Sequence, residues 1–328
     1  MLDSRCNRDE KGYKYTECTD RHNSQSVSQC SRFKMKALLV IAFASALLCV
    51  LQSYPVEVDL TMKFDPDAED QVWKVKTKHP ENETELSADS MDISTLLEKA
   101  NANLDKIPDG TVIRFGDIAV DPLGSTNADP CTERSCKWPQ SSQGTVYIAF
   151  EVSDDFSLND RAVIEGALSS FAQVTCIEFI RRTNERDFIS VQSLSGCYSF
   201  IGRRGGRQVL SLNRRGCVYH QVVQHEFLHA LGFNHEQTRS DRDSYVNILY
   251  ENIQQGMEYN FNRVNTNNLG TAYDYDSVMH YGRYAFSSNG RPTIEPIPDP
   301  NVSIGRAIQF SQTDIERVNR LYNCRNYL

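Results

Sequence analysis

The chain has 328 residues, a formal net charge of −8 and 40% hydrophobic residues. This length suits two average domains, or one large domain preceded by processed segments. The acidity lies mostly in the front part: residues 1–126 hold 15 Lys and Arg against 21 Asp and Glu, whereas residues 127–328 hold 20 against 22. Neither part has a dense basic run, so the composition argues against a nucleic-acid partner.

The first apolar run spans residues 37–51, has lysines just before it and is 15 residues long. A run of this length fits the hydrophobic region of a secretory signal better than a membrane span. We therefore predict a signal peptide over residues 35–53, preceded by a disordered upstream extension over residues 1–34. The alternative is a type II membrane anchor with a short cytoplasmic tail.

Residues 54–126 are charged, poor in large apolar residues and interrupted by prolines. One short helix is predicted from about Asp92 to Leu104, because apolar residues recur there on one face. Such a segment cannot bury a core of its own, so we expect it to lie on another surface as a propeptide. Two sequons mark candidate glycosylation sites, Asn82 in this segment and Asn301 further on.

The patterns of a folded domain begin after this segment, and we assign them to a domain over residues 127–328. Alternating apolar residues predict a strand at 145–152, and a capping box at Ser157 predicts a helix that extends to about Phe171. Further elements are predicted as strands at 176–180, 188–192 and 208–212, a helix at 218–231, and a final helix after Ser311 or Thr313. The stretch between the last two helices is rich in Asn, Tyr and Gly, which favours loops.

Six of the ten cysteines lie in this domain, and the other four lie in or before the first apolar run. An even set behind a secretion signal predicts three disulfides formed in an oxidising compartment. Spacing alone does not give their connectivity, and none has the C-x-x-C spacing of a zinc ribbon. The six are Cys131, Cys136, Cys176, Cys197, Cys217 and Cys324.

A histidine motif near the middle of the domain carries the chemistry. His225 and His229 are four residues apart, so on a helix their imidazoles project from one face and can share a metal ion. Gly232 is expected to end the helix in a left-handed turn that brings back His235 as a third ligand. Three protein ligands leave a position open, which is typical of catalytic zinc, and Glu226 is then the predicted general base.

The simpler interpretation of this motif is a histidine-rich amphipathic helix whose imidazoles are satisfied in the core. That interpretation accounts for neither Gly232 nor Glu226. The extended H-E-x-x-H-x-x-G-x-x-H pattern is the metzincin signature, and it is far more specific than H-E-x-x-H alone. The sequence therefore predicts one zinc ion in a metalloprotease.

Two further stretches resemble the astacin family of metalloproteases. The sequence Ser-Val-Met-His-Tyr at 277–281 resembles that family's methionine turn, and Phe233 and Glu236 fit its longer zinc motif. By resemblance, Met279 forms a hydrophobic floor below the metal. Tyr281 would be an additional ligand in the resting enzyme that turns away to hydrogen-bond the transition-state oxyanion. Glu236 would receive the N-terminal ammonium of the mature chain.

The resemblance reaches the six-cysteine astacins of fish, whose mature start is similar to Asn127-Ala-Asp-Pro-Cys131. It implies an α+β fold: a mixed five-stranded sheet with two long helices over the active-site cleft, and an irregular C-terminal subdomain. It also implies three disulfide pairs, which are Cys131–Cys136, Cys176–Cys324 and Cys197–Cys217.

A short stretch of the predicted propeptide also resembles the astacin family. Phe115-Gly116-Asp117-Ile118 is similar to the family's propeptide switch, which implies that Asp117 blocks the metal before activation. The match departs from the family pattern in that the usual phenylalanine lies one residue earlier, where this chain has Arg114. In addition, no arginine precedes Asn127 for a trypsin-like activator, so the activating protease is not identified.

The resemblance as a whole implies a secreted, monomeric zinc endopeptidase, made as a zymogen that its own propeptide inhibits and that secretory granules could store. Its protein substrates would be extracellular glycoproteins, with those of the egg envelope expected first, and matrix proteins or secreted precursors as the alternative. A rival of another class is a catalytically silent secreted binding protein. A second rival is a membrane-tethered sheddase anchored by residues 37–51.

Overall fold

The protein is described here by a computed structural model that covers residues 93–102, 104, 110–120 and 136–327. All of these belong to one compact unit, Glu85–Leu328. The predicted extension, signal peptide, Asn82 and residues 121–135 lie outside the described residues, so the predicted boundaries at 34, 53 and 126 stay predictions. In the described part of the chain, no helix is long and apolar enough to span a bilayer.

A seven-stranded mixed sheet forms the centre of the fold, in the order β1-β2-β6-β7-β5-β3-β4. The β3, β4, β5 and β7 strands pair in parallel, whereas β6 is antiparallel to β7. In these labels, which follow chain order, β1 is Val112–Arg114, β2 is Ile118–Val120, β3 is Val146–Val152, β4 is Ile177–Arg181, β5 is Phe188–Gln192, β6 is Cys197–Phe200 and β7 is Arg207–Leu212.

The predicted α+β class is confirmed, and the sheet is larger than the five strands expected. Five strands come from residues 146–212, as the resemblance implied. The other two come from the segment predicted to be a propeptide: β2 pairs in parallel with the edge strand β6, and β1 pairs with β2. Each of these strands has only three residues, which is too short for an alternating pattern to be recognised in the sequence.

Among the described residues, four α-helices accompany the sheet: α1 (Ile93–Asn101), α2 (Leu158–Val174), α3 (His220–Leu231) and α4 (Gln312–Tyr322). Both α2 and α4 begin with a complete capping box, in which a serine and an aspartate three residues later satisfy each other's backbone N–H groups. The apolar faces of α2, α3 and α4 bury one core with the inner side of the sheet. Packing within this core therefore holds α3, the predicted zinc helix, in position.

The chain between α3 and α4 is irregular, as predicted from its composition. It contains short 3-10 turns and a two-stranded ribbon of β8 (Val246–Ile248) and β9 (Ile294–Pro296). A second apolar cluster holds this region together, and it includes Phe261, Tyr273 and Tyr281. Asn301, the second glycosylation candidate, is exposed here.

Two of the implied disulfides are present. Cys197 joins Cys217, and Cys176 joins Cys324 at the end of α4. Cys136 is also disulfide-bonded, and its implied partner Cys131 lies outside the described residues. Because Cys176 directly precedes β4, the long-range bond fixes the C-terminal helix to the sheet.

Candidate metal centre and catalytic site

Three histidines meet at the C-terminal end of α3. His225 and His229 lie one turn apart, so both imidazoles project from the same face. Gly232 ends the helix in the left-handed region, with φ 114°, and its N–H donates to the carbonyl oxygens of His229 and Leu228. The chain then turns back, which places His235 Nε2 3.2 Å and His229 Nε2 3.1 Å from His225 Nε2.

Backbone carbonyls determine which nitrogen of two imidazoles faces the centre. Val278 O lies 2.8 Å from His225 Nδ1, and Phe233 O lies 2.7 Å from His229 Nδ1. Since a carbonyl oxygen only accepts, each Nδ1 carries the proton and each Nε2 presents its lone pair. Burial lowers the pKa of His235 to about 4, so this imidazole is neutral as well near pH 7.

The carboxylate of Asp117 reaches the same point from the loop between β1 and β2. Its Oδ2 is 3.1 Å from His225 Nε2, and its Oδ1 is 3.1 Å from His235 Nε2 and 3.4 Å from His229 Nε2. Neutral imidazole lone pairs and a carboxylate repel one another in a buried site unless a cation lies between them. Imidazole nitrogens and one carboxylate form a donor set typical of zinc, so these residues fit a single zinc ion.

Glu226 is fully buried beside the histidines and does not belong to the converging set of donors. Neither of its carboxylate oxygens has a hydrogen-bond partner among the described residues. Burial raises the pKa of Glu226 well above its usual value, and the negative charge of Asp117 raises it further. A buried carboxylate without partners lowers the stability of the fold, and such groups cluster at functional sites. The role of Glu226 as the general base stays a prediction.

Tyr281 contacts the site from the irregular subdomain. Its ring centroid lies 4.6 Å from that of His235, and its hydroxyl donates to the carbonyl oxygen of Phe115. Gly116 permits this approach, because its φ is +83° and a Cβ there would lie 2.8 Å from the Tyr281 hydroxyl oxygen. With that hydroxyl engaged, the role of Tyr281 as an additional ligand stays a prediction.

The predicted methionine turn contacts the histidine site through Val278 O, and the role of Met279 as a floor below the metal stays a prediction. Met279 is buried in the main core, and its carbonyl oxygen accepts from Glu236 N at 3.0 Å. The next residue, His280, has Nδ1 2.7 Å from Tyr281 O and Nε2 2.8 Å from the Tyr273 hydroxyl. Burial lowers the pKa of His280 to about 4, so it holds this turn as a neutral imidazole.

A carboxylate on α4 supports this turn, in a role that the sequence did not predict. Asp314 accepts from Ser277 Oγ at 2.6 Å and from Val278 N at 2.9 Å, in addition to capping its own helix with Ser311. Val278 is the residue whose carbonyl orients His225. The Ser-x-x-Asp pattern predicts a helix start, but it does not reveal that the same carboxylate reaches another loop.

Glu236 lies in a buried ionic network. Arg317 Nη1 and Nη2 lie 2.5 and 2.8 Å from its two oxygens, Arg239 Nη1 lies 3.3 Å away, and Asp274 N donates to it at 2.7 Å. Burial raises the pKa of Glu236, while the charges of Arg317 and Arg239 oppose this shift. Residues 127–131 lie outside the described residues, so contact with an N-terminal ammonium stays a prediction.

Helix α1 belongs to the same segment as Asp117, and two of its side chains bind backbone N–H groups of the irregular region between α3 and α4. Ser94 Oγ accepts from Gly282 N at 2.8 Å, and Glu98 Oε1 accepts from Phe286 N at 2.9 Å. Asn101 follows on the same face of the helix, since positions four and three apart share a face.

Asn101 binds Cys197, the first residue of β6, through the same backbone N–H and C=O groups that a neighbouring strand would use. Its Oδ1 accepts from Cys197 N at 2.8 Å, and its Nδ2 lies 2.8 Å from both Cys197 O and Gly116 O. The bond to Gly116 also fixes the loop that presents Asp117. The periodicity of the segment predicted this helix, but it gave no sign of these contacts, because they are made to backbone groups.

Comparison with known proteins agrees with this geometry. The profile of the Astacin peptidase family matches residues 132–323. High choriolytic enzyme 1 of Oryzias latipes is 53% identical over 238 residues, which is 72% of this chain and 86% of that protein. Low choriolytic enzyme of the same fish is 40% identical over 289 residues, which is 87% of this chain and 99% of that protein.

A solved structure supports the same conclusion. High choriolytic enzyme 1, described as a hatching enzyme zinc-protease from medaka, aligns with a TM-score of 0.59 at 57% identity. The alignment covers 61% of this chain and all of that one. With the family profile matching more than half of its length, this chain belongs to the astacin family of peptidases and is a zinc metalloendopeptidase that acts on protein substrates.

Proposed function

We propose that this chain is a secreted zymogen whose mature form hydrolyses extracellular glycoproteins. The glycoproteins of the egg envelope are the substrate that we favour. The observation that carries the endopeptidase chemistry is the meeting of three histidines beside an unpaired Glu226. The choriolytic names of its relatives support the egg envelope as substrate. Secretion rests on the signal peptide predicted at residues 35–53.

His225, His229 and His235 would hold the zinc ion through Nε2. Zinc bound by neutral ligands polarises a peptide carbonyl and lowers the pKa of a bound water to about 7. Glu226 follows the ligand His225 in the chain, feels the charge of Asp117 in its raised pKa, and has both oxygens unpaired, so it can take a proton from the attacking water and give it to the leaving amine. The phenol of Tyr281 supplies a hydrogen-bond donor for the oxyanion once Phe115 no longer accepts from it.

Residues 93–120 would keep the enzyme inactive as part of a propeptide over residues 54–126. Asp117 faces the three histidines, and Phe115 engages Tyr281, so one short loop occupies both parts of the site. Activation then needs a protease that cuts near Asn127. This arrangement also allows storage in secretory granules and requires no second subunit.

Three alternatives are separable from this proposal. Cleavage of matrix proteins or secreted precursors is the runner-up, because the chemistry of the site is the same for any peptide bond. A catalytically silent binding protein would lack a ligand, the base or the tyrosine, and the chain has all of them: His225, Glu226, His229, His235 and Tyr281. A membrane-tethered form would stay with the cells. The proposed form would be recovered from culture medium with Asn127 at its N-terminus.

The experiment is to incubate activated protein with isolated egg envelope and, in parallel, with matrix proteins, and to map the cuts by mass spectrometry. The Glu226→Gln variant is the matched control for contaminating proteases. We expect wild-type cuts in envelope glycoproteins that the variant does not make. Cuts confined to matrix proteins would favour the runner-up, and no cuts in any protein would refute the proposal.

A further inference from the structure

One peptide unit of the predicted methionine turn is held from both sides. It joins Val278 to Met279, and its carbonyl oxygen lies 2.8 Å from His225 Nδ1. Its N–H group donates to Ser277 Oγ at 3.0 Å. A trans peptide is planar, so its C=O and N–H groups point in opposite directions. A contact that fixes the N–H group therefore also fixes the direction of the carbonyl that faces His225.

The hydroxyl of Ser277 is fixed in turn by a carboxylate on α4. It donates to Asp314 Oδ1 at 2.6 Å, and both side chains are buried. The other oxygen of Asp314 accepts from Val278 N at 2.9 Å and from Ser311 N at 3.0 Å. A serine hydroxyl has one hydrogen, so donating it to the carboxylate leaves the lone pairs of the oxygen for Met279 N. Asp314 thus determines how the Ser277 hydroxyl is oriented.

These contacts form one chain of hydrogen bonds from α4 to the histidine site. The chain runs from Asp314 through the Ser277 hydroxyl and the 278–279 peptide to Nδ1 of His225. Nε2 of the same imidazole faces the other two histidines. A histidine ligand whose second nitrogen donates to a fixed acceptor is held in tautomer and in ring orientation. A negative charge at the far end of the chain also polarises each of its hydrogen bonds in the same sense.

His225 depends on such support more than His229 does. The acceptor for His229 Nδ1 is Phe233 O, four residues further on, in the turn that ends α3. The acceptor for His225 Nδ1 is Val278 O, which lies 53 residues away in the sequence. Local helix geometry does not set the position of that carbonyl, so contacts from elsewhere in the fold have to set it.

From this geometry we propose that Asp314 and Ser277 are positioning residues for the ligand His225 in the uncleaved chain. They act through the carbonyl of Val278 and not on the metal itself. The inference rests on the proposed zinc site, and it concerns the form in which Asp117 faces the histidines. The zinc affinity of this form should then depend on a serine hydroxyl that is directed away from the ligand set.

The test compares two serine-to-alanine variants of the uncleaved chain, whose intact mass confirms that it is uncut. Ser277→Ala removes the hydroxyl from the hydrogen-bond chain. Ser157→Ala is the matched control, because that hydroxyl also donates to an aspartate, Asp160, at 2.7 Å, but it caps α2 at an exposed position.

Zinc affinity is measured by competition with a chelator, using the metal alone. Loss of an outer contact that orients a metal ligand weakens metal binding about 10- to 100-fold. We expect a loss of about tenfold for Ser277→Ala, at the lower end of this range because the contact is indirect. Ser157→Ala should bind zinc within about twofold of the wild-type chain, since it leaves every contact to the ligands in place.

Thermal unfolding of the zinc-free chains separates folding from positioning. Each variant loses a hydroxyl that is bonded to an aspartate, so both should unfold at a lower temperature than wild type. Only Ser277→Ala should also bind zinc more weakly. An equal loss of affinity in both variants would overturn the inference. A folded Ser277→Ala chain that loses less than about fivefold in affinity would overturn it as well.

A double variant covers the case in which Ser277→Ala does not fold, since that change leaves a buried carboxylate short of one donor. Ser277→Ala combined with Asp314→Asn removes the charge. It should bind zinc at least about tenfold more weakly than wild type, and wild-type affinity in the folded double variant would overturn the inference. A wild-type chain that binds no zinc would refute the proposed zinc site itself, whereas unchanged affinity in the variants would refute only the positioning role.

Discussion

Asn101 offers the sharpest test of the proposed inhibition of the precursor by residues 93–120. Its side chain makes three hydrogen bonds of 2.8 Å, two to Cys197 in the edge strand and one to Gly116 beside Asp117. Asn101→Ala removes all three and leaves backbone groups without these partners. At about 1 kcal/mol net for each bond, the segment is held less tightly by about 3 kcal/mol.

That loss corresponds to roughly a hundredfold shift toward the state in which Asp117 leaves the histidines, since about 1.4 kcal/mol is a factor of ten. We expect the purified Asn101→Ala precursor to hydrolyse a fluorogenic peptide far faster than the wild-type precursor. Intact mass measured before and after the assay shows whether any chain was cut. Only activity from uncut precursor counts.

Two matched variants make the result specific to the hydrogen bonds. Asn101→Asp keeps the size of the side chain but sets a carboxylate against the carbonyl oxygens of Cys197 and Gly116, so it should leak at least as much as alanine. Ala102→Ser changes an exposed residue just after the same helix and should leave the precursor silent. A silent Asn101→Ala precursor that still folds would refute the reasoning.

Three further predictions concern the proposed catalytic site and one of the disulfides. Asp117→Ala should give a precursor with measurable peptidase activity, and a fully silent variant would count against its inhibitory role. Glu226→Gln should keep zinc, as measured by metal analysis, and lose at least about a hundredfold in kcat, because general base catalysis contributes that much or more; near-normal turnover would rule it out as the base. Replacing Cys197 and Cys217 by serine opens a loop closed over a separation of 20 residues, and urea unfolding should detect a loss of about 3 kcal/mol; an unchanged midpoint would contradict the loop-entropy argument.

The sequence predicted those elements whose local residue pattern agrees with the packing that they make in the fold. The α2 helix has both a capping box and an apolar face, and its start at Ser157 was predicted to the residue. The zinc helix ends at Gly232 because only glycine reaches that backbone conformation without strain, which is a local property of the chain. The three histidines could be placed together for the same reason, since their spacing and one turn suffice.

Contacts between distant segments could not be read in this way. Apolar periodicity in the sequence predicts that Ile315, Val318, Leu321 and Tyr322 form the buried face of α4. The structure buries Asp314 and Arg317 together with Val318 and Tyr322, whereas Ile315 and Leu321 are only partly covered. Charged residues on a helix are normally placed in solvent when no partner is known. Their partners here are Val278 and Glu236, many residues away, and no periodic pattern encodes such pairs.

In the proposed precursor, the segment 93–120 would solve two physical problems with one set of contacts. A protease precursor must keep its cleft from accepting peptides, and without β2 the strand β6 would lie at the edge of the sheet, with unpaired backbone groups that can pair with any extended chain. β2 covers that edge, and Asn101 closes its first residue, Cys197, with a side-chain amide in place of a strand. Because these contacts and those of Ser94 and Glu98 are made to backbone groups, substitutions of the cleft's side chains would leave them largely intact. Inhibition and the side-chain specificity of the cleft can therefore vary independently in this chain.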